Sequence, residues 1–220
     1  MSTQQLHPRP LVILDAGHGC DTAGRRSPLW PDGRQLFEWE LNRDLARRTK
    51  ALLAADACDV HLLVPEADDL SLPMRLERAI NLCVAHQSQG GTFCQRVLVS
   101  IHANASPGPT PARGWECFAH GTKAGSRMLA AIFLRHALRL LPDDVPVRSA
   151  VGNLRAHPGG QAKTANFYML KNPPCVTLLT ENLFMNNPAD CSLLLDDDGR
   201  QLLARLHADA LREYLATAAE

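Results

Sequence analysis

Leu11-Val12-Ile13-Leu14 runs straight into Asp15-Ala16-Gly17-His18-Gly19. Four apolar, partly β-branched residues predict a buried strand. The glycines behind them predict a tight loop, so this strand delivers a histidine at its carboxyl end. The arrangement recurs twice. Arg96 to Ile101 predicts a strand feeding His102-Ala103-Asn104-Ala105, and Cys175 to Thr180 predicts another ending at Glu181. In open α/β sheets, ligands bind outside the carboxyl ends of the strands. His18, His102 and Glu181 are therefore expected at one edge of one sheet.

Between these strands the pattern becomes helical. Glu38 to Ala55 carries apolar residues at Leu41, Leu45, Ala46, Leu52 and Leu53 with basic residues between them. Leu72 to Ala85 reads as a helix capped near Ser71, Ser126 to Leu141 as an amphipathic helix, and Leu202 to Ala216 as a terminal helix. Asp59 to Val64 and Gly114 to Ala119 read as further strands, and Phe167 to Leu170 as a short one. Gly24 to Gly33 and the proline-broken run after Ser106 are loops, and Asp143 to Ala165 shows no pattern long enough to assign. Strands alternating with helices predict one α/β domain.

Composition narrows the function classes. Of 220 residues, 45% are hydrophobic and 21% charged, ordinary globular values that exclude disorder, collagen and coiled coil as the main description. Lys plus Arg is 23 and Asp plus Glu is 23, so no global charge draws the chain to nucleic acid or an anionic membrane. No apolar run approaches the ~18 residues of a membrane span, so no membrane insertion is expected. Met1 to Pro10 is polar, without the apolar core of a signal peptide. The seven cysteines are dispersed and form no C-x-x-C pair, which predicts reduced, structural thiols.

Two histidines and a carboxylate suit Zn²⁺, which accepts imidazole nitrogen and carboxylate oxygen and leaves a position for water in a catalytic site. His18 and His102 are the natural nitrogen ligands. Glu38 opens a helix and is a candidate third ligand; Glu40 is its rival. Glu181 is then free as a general base. Against each stands a plain reading: a loop histidine, a carboxylate favouring a helix N-terminus, a carboxylate paired with a lysine.

The motifs in order resemble the amidase-3 type of zinc-dependent N-acetylmuramoyl-L-alanine amidases. Ile13 to Gly19 is similar to that family's strand followed by D-P-G-H-G, and Glu38-Trp39-Glu40-Leu41-Asn42 to its E-K-x-x-N. Val99 to Ala105 is nearly its S-I-H-A-N-A. Gly114 to Phe118, Ala165 to Leu170 and Leu179 to Asn187 match in turn. The resemblance selects Glu38 over Glu40. It implies His18, Glu38 and His102 as ligands of one Zn²⁺ and Glu181 as the catalytic carboxylate. It also implies a central mixed sheet flanked by helices, and a hydrolase that cuts the amide between N-acetylmuramic acid and L-alanine of the stem peptide. Its substrate would be peptidoglycan or muropeptide. Rival expectations are a zinc peptidase acting within the stem and an inactive wall-binding module.

Three positions depart from the family's pattern. Ala16 stands for a proline, Val64-Pro65 for a threonine-arginine pair, and Asn182-Leu183 for a residue followed by glycine. The last change falls beside Glu181. Asn104 and Asn166 are candidates to line the substrate groove, and Trp39 and Tyr168 either stack on sugar or pack inward. The expected organisation is a flexible segment over 1–10 and a catalytic domain over 11–220, acting as a monomer. The chain is expected to be made in the cytoplasm and to act at the cell wall or periplasm after lysis, endolysin-like, or non-standard export.

Overall fold

β1 (Leu11–Ala16) is buried along its whole length, as a central strand covered on both faces must be. It leads through a long loop to α1 (Glu38–Leu52), which returns to β2 (Asp59–Leu62). Next come α2 (Leu72–Ser88), β3 (Arg96–Asn104), β4 (Trp115–Ala119) and α3 (Ala124–Leu140). Three short strands follow: β5 (Val147–Ser149), β6 (Gly152–Asn153) and β7 (Lys163–Thr164). The chain closes with α4 (Tyr168–Lys171), β8 (Val176–Phe184), α5 (Pro188–Leu195) and α6 (Asp197–Thr217). This computed structural model describes residues 8–218. Residues 1–7 of the expected flexible segment lie outside them. Arg9 is held by the carbonyls of Asp56 and Cys58.

The strands form one sheet in the order β2-β1-β3-β8-β4-β5-β6, with β7 also paired to β4. β2, β1, β3 and β8 are mutually parallel, and β4 runs antiparallel to β8. The sheet is therefore mixed, as expected. Side chains alternate across it. Val12, Leu14, Val97, Val99 and Ile101 point into the larger core with Leu45, Leu129, Phe133, Leu211 and Tyr214 from α1, α3 and α6. Leu11, Ile13 and Leu98 point the other way, against Ala79 and Cys83 of α2 and Met169 of α4.

The helix starts follow local chemistry. Ser71 caps α2 by accepting from the Met74 amide at 3.4 Å. Asn187 caps α5 with Pro188 behind it, and Asp196 caps α6. Both α5 and the first turn of α6 escape the hydrophobic periodicity, because their starts are written in polar residues. Phe167 to Leu170 is not a strand: Tyr168–Lys171 makes one helical turn. Its hydrogen bonds are helical, with the Leu170 and Lys171 amides donating back to the Phe167 carbonyl. Residues 143–165 hold strands of two or three residues, too short to leave a periodic signal.

Candidate metal centre and active-site cavity

His18 follows β1 in the left-handed region, at φ 60°. Such a conformation costs a non-glycine residue about 1–2 kcal/mol and needs external support. Two arginines supply it: the His18 carbonyl accepts from Arg43 of α1 at 2.8 Å and from Arg75 of α2 at 3.3 Å. Arg75 is buried, and its guanidinium also donates to the Asp15 and Asp69 carboxylates at 2.6 Å and to the Ala16 carbonyl at 2.7 Å. Asp15 takes a further hydrogen bond from the Ser100 hydroxyl at 2.7 Å. Gly17 is required for a different reason: a Cβ there would fall inside the His102 ring.

Glu38, the first residue of α1, is brought under both histidines and is 1% exposed. Its Oε1 lies 3.2 Å from His102 Nδ1 and 3.5 Å from His18 Nε2, and accepts from the Ala103 amide at 3.2 Å. Asn42, one helical turn on, donates to the same oxygen at 3.4 Å and to the Gly17 carbonyl at 3.1 Å. Glu40 is exposed and takes no part. One ligand atom from each of His18, Glu38 and His102 lies within 4.8 Å of the others.

Three observations fit this group to a divalent metal. Glu38 Oε2 is buried with no hydrogen-bond partner among the described residues, an arrangement that costs free energy unless something else binds it. Burial lowers the His18 pKa to about 4, against the pull of Glu38, so its ring nitrogen keeps a lone pair at neutral pH. Two imidazoles and a carboxylate are also an ordinary donor set for catalytic zinc.

Glu181 comes from the neighbouring strand. In the parallel pairing of β3 and β8, His102 stands opposite Glu181 and Asn104 opposite Phe184. Two steps on β3 thus face three on β8, which places a bulge at Asn182 and Leu183. Leu183 occupies the left-handed region at φ 68°, where the family's pattern carries glycine. Asn182 is buried and satisfied: it donates to the His102 carbonyl at 3.0 Å and accepts from the Trp115 indole at 3.0 Å. Burial raises the Glu181 pKa to about 7; His102 opposes the shift, and Glu38 and Glu116 add to it. Its Oε2 is also buried without a partner among the described residues.

The four residues share one cavity of about 720 Å³, walled by Arg25, Leu72, Asn104, Phe167 and Tyr168 among others. Asn104 lines it and donates to Glu116 Oε1 at 2.9 Å. Asn166 is exposed and is not part of the lining. Trp39 is half-buried beneath the Arg43 guanidinium, 5.5 Å from its ring centre. None of the seven cysteines reaches the cavity lining. Sequence reading missed the arginine supports and Glu116. Their only signal is a polar residue at an inward-facing strand position, at Asp15 and Ser100, which demands a buried partner.

Known proteins give a consistent picture. At 27% identity, the chain is similar to N-acetylmuramoyl-L-alanine amidase AmiC of Neisseria meningitidis, covering 95% of this chain and 53% of that protein. It is 26% identical to the endolysin of Bacillus phage SPP1, over 93% of this chain and 66% of that one. The chain thus spans about half to two thirds of these relatives. The fold matches the crystal structure of an N-acetylmuramoyl-L-alanine amidase from Clostridium difficile 630, with a TM-score of 0.74 at 22% identity, covering 96% and 98% of the two chains. It also matches the catalytic domain of CwlV from Bacillus (Paenibacillus) polymyxa, with a TM-score of 0.70 at 23% identity over 94% and 98%. The profile of the amidase-3 family, described as N-acetylmuramoyl-L-alanine amidase, matches residues 12–213, and the chain belongs to that family.

Proposed function

We propose that the chain is a zinc-dependent peptidoglycan hydrolase cutting the amide between N-acetylmuramic acid and L-alanine, with residues 11–220 as its catalytic domain. The observation that carries this reading is the convergence of His18, Glu38, His102 and Glu181 in one cavity, with an orphaned carboxylate oxygen on each glutamate. His18, Glu38 and His102 would hold the ion. When bound, zinc supplies Lewis acidity toward a water molecule and toward the scissile carbonyl.

The protein's own groups do the rest. Glu181, with its pKa raised to about 7, takes a proton from the attacking water and returns it to the leaving amine of L-alanine. Arg43 and Arg75 hold the His18 loop, so the histidine does not have to be organised when substrate arrives. Asn104 sits at the cavity wall within reach of a bound stem peptide. Among the described residues no helix is long and apolar enough to cross a membrane. We place the site of action at the cell wall or periplasm.

Mass spectrometry of digested muropeptides tests the reading, using metal-free protein, zinc-restored protein and a Glu181→Ala variant. Release of stem peptides with a free L-alanine amine, only with zinc and Glu181 present, is the expected result. Cleavage inside the stem would reassign the site to a peptidase. Substrate binding without any new amine would make the chain a wall-binding module.

A further inference from the structure

Glu181 faces the cavity, so by alternation its neighbours Thr180 and Asn182 point to the other face of β8. There they meet His207 of α6 and Trp115 of β4, inside the larger core. That core is lined by aliphatic and aromatic side chains. A wholly buried amide among them costs free energy unless its polar atoms are paired. Asn182 meets that demand. Its Nδ2 donates to the His102 carbonyl on β3 at 3.0 Å and to the Thr180 hydroxyl at 3.1 Å. Its Oδ1 accepts from the Trp115 indole at 3.0 Å.

These partners admit one orientation of the amide. An indole nitrogen only donates, and a carbonyl only accepts. Turning the amide over would set Nδ2 against the indole N–H and Oδ1 against the His102 carbonyl, and both bonds would be lost. Trp115 is itself wholly buried and stacked on Phe133 at 6.4 Å, so the donor that sets the amide is held in place.

The amide sits at an irregular point of the sheet. The β3–β8 ladder pairs His102 with Glu181 and shifts register before it pairs Asn104 with Phe184. A bulge disrupts the ladder locally, so backbone bonds alone specify the strand spacing less firmly there. Asn182 spans this point. Its backbone adjoins Glu181, and its side chain grips the backbone of His102. One side chain therefore ties the strand that carries a candidate metal ligand to the strand that carries the candidate base. Asn182 does not line the cavity.

We infer that Asn182 is a positioning residue, oriented by Trp115, which fixes the separation of His102 from Glu181 across the irregular ladder. The role of Glu181 in this inference rests on the amidase reading above. Outer partners of metal ligands commonly change metal affinity or activity by about 10- to 100-fold. A displacement of about 1 Å at a reacting group can cost about a hundredfold in rate. Since Asn182 lies behind the sheet and touches no substrate, its loss should appear in metal affinity and kcat and spare KM.

The test uses the full chain, loaded with Zn²⁺ or Co²⁺, as wild type, Asn182→Leu, Trp115→Phe and the double variant. Asn182→Leu keeps the branched shape without the amide. Trp115→Phe keeps an aromatic ring and removes the N–H that orients the amide. Zinc affinity is measured by competition with a chelating indicator, and site geometry by the visible absorption of the Co²⁺ form. Turnover of muropeptides gives kcat and KM. Asn182→Leu should raise the zinc dissociation constant about tenfold, shift the cobalt bands and lower kcat about thirtyfold, with KM within about twofold. Trp115→Phe should move zinc affinity and kcat in the same direction by about threefold. The double variant should be no worse than Asn182→Leu, because Trp115 acts through the amide.

A folded Asn182→Leu variant with wild-type zinc affinity, cobalt spectrum and kcat overturns the inference whatever its melting temperature, since the amide is then structural only. A raised KM at unchanged kcat overturns it as well. Should Asn182→Leu not fold, wild-type affinity and spectrum in Trp115→Phe overturn it equally. A wild type that binds Co²⁺ yet releases no amine loses the amidase reading, and the metal affinity and cobalt spectrum of the variants still decide whether Asn182 positions His102.

Discussion

On the face covered by α1, α3 and α6, β1 and β3 present Val12, Leu14, Val97, Val99 and Ile101. On the opposite face the same two strands present Leu11, Ile13 and Asp15, and Leu98, Ser100 and His102. The first series is apolar to the end of the strand. The second turns polar at the carboxyl ends, where the cavity opens between the sheet and the residues of α2 and α4 that wall it. Alternation lets one strand serve both ends: removing a residue from the first face should cost stability, and removing one from the second should cost chemistry. Asp15 blurs the division, since it is buried on the chemical face and must be paired there.

The sharpest break of this comparison is Glu181→Gln. Glu181 is buried with a raised pKa, so a neutral isostere removes the proposed general base without leaving a new charge in the site. Turnover should fall about a thousandfold, equivalent to about 4 kcal/mol of barrier, with zinc content and melting temperature retained. Substantial residual turnover would remove Glu181 from the mechanism. Phe133→Ala should do the reverse. Phe133 is wholly buried, 6.4 Å from Trp115 in a stacked pair and edge-on to His207. Its loss should cost about 3–5 kcal/mol in urea titrations, while the folded fraction keeps its kcat. Arg75→Met should fall on both sides. It strands the buried Asp15 carboxylate, which costs about 3–5 kcal/mol. It also takes one of the two hydrogen-bonded supports from the His18 carbonyl, so zinc affinity should drop as well. Unchanged zinc affinity in a folded Arg75→Met variant would confine that arginine to stability.

The apolar face has one polar thread, and pH tests it. His207 on α6 is fully buried, with Nδ1 donating to the Leu203 carbonyl at 2.8 Å. Its Nε2 must then accept from the Thr180 hydroxyl at 3.0 Å, and Thr180 in turn accepts from Asn182 at 3.1 Å. Burial lowers the His207 pKa to about 4, well under the ordinary 6.5. Below pH 6.5 the unfolded chain binds a proton here that the folded chain refuses. Stability from this site is therefore complete above pH 6.5 and falls by about 1.4 kcal/mol per pH unit toward pH 4. The stability difference between wild type and His207→Leu should shrink along that slope in denaturant titrations. Parallel curves from pH 7 to pH 4 would show that His207 does not refuse the proton.

How much of this could be read in the sequence follows from the same two faces. The apolar strands and the large amphipathic helices announce themselves by period, so the α/β layering is legible from Leu11 onward. His18, His102 and Glu181 were visible because each ends an apolar run. Glu38 was not decided by spacing, since Glu40 is as plausible on a helix end; the family pattern chose it, and its burial agrees. The arginine supports were illegible. Arg75 looks like any charged residue on a helix until Asp15 and the His18 carbonyl arrive from distant parts of the chain. The short strands β5 to β7, which bring Arg148 and Lys163 beside Glu116, carry too few residues to show alternation.

Leu183 is the smallest effect and the finest test, because it lies where the two faces exchange register. A leucine in the left-handed region costs about 1–2 kcal/mol, yet this one is 1% exposed and packed in the larger core. Glycine there would relieve the strain and lose the packing. Leu183→Gly should therefore be less stable than wild type, since burying a leucine is worth more than the strain it suffers. The informative comparison is with Leu183→Ala. In an unstrained strand, glycine is worse than alanine by about 0.5–1 kcal/mol. At a left-handed position alanine keeps the strain, and the order inverts. Leu183→Gly should accordingly melt above Leu183→Ala. If alanine proves the more stable, the bulge does not hold this residue under strain, and Asn182 alone, through the His102 carbonyl and the Trp115 indole, fixes the backbone beside Glu181.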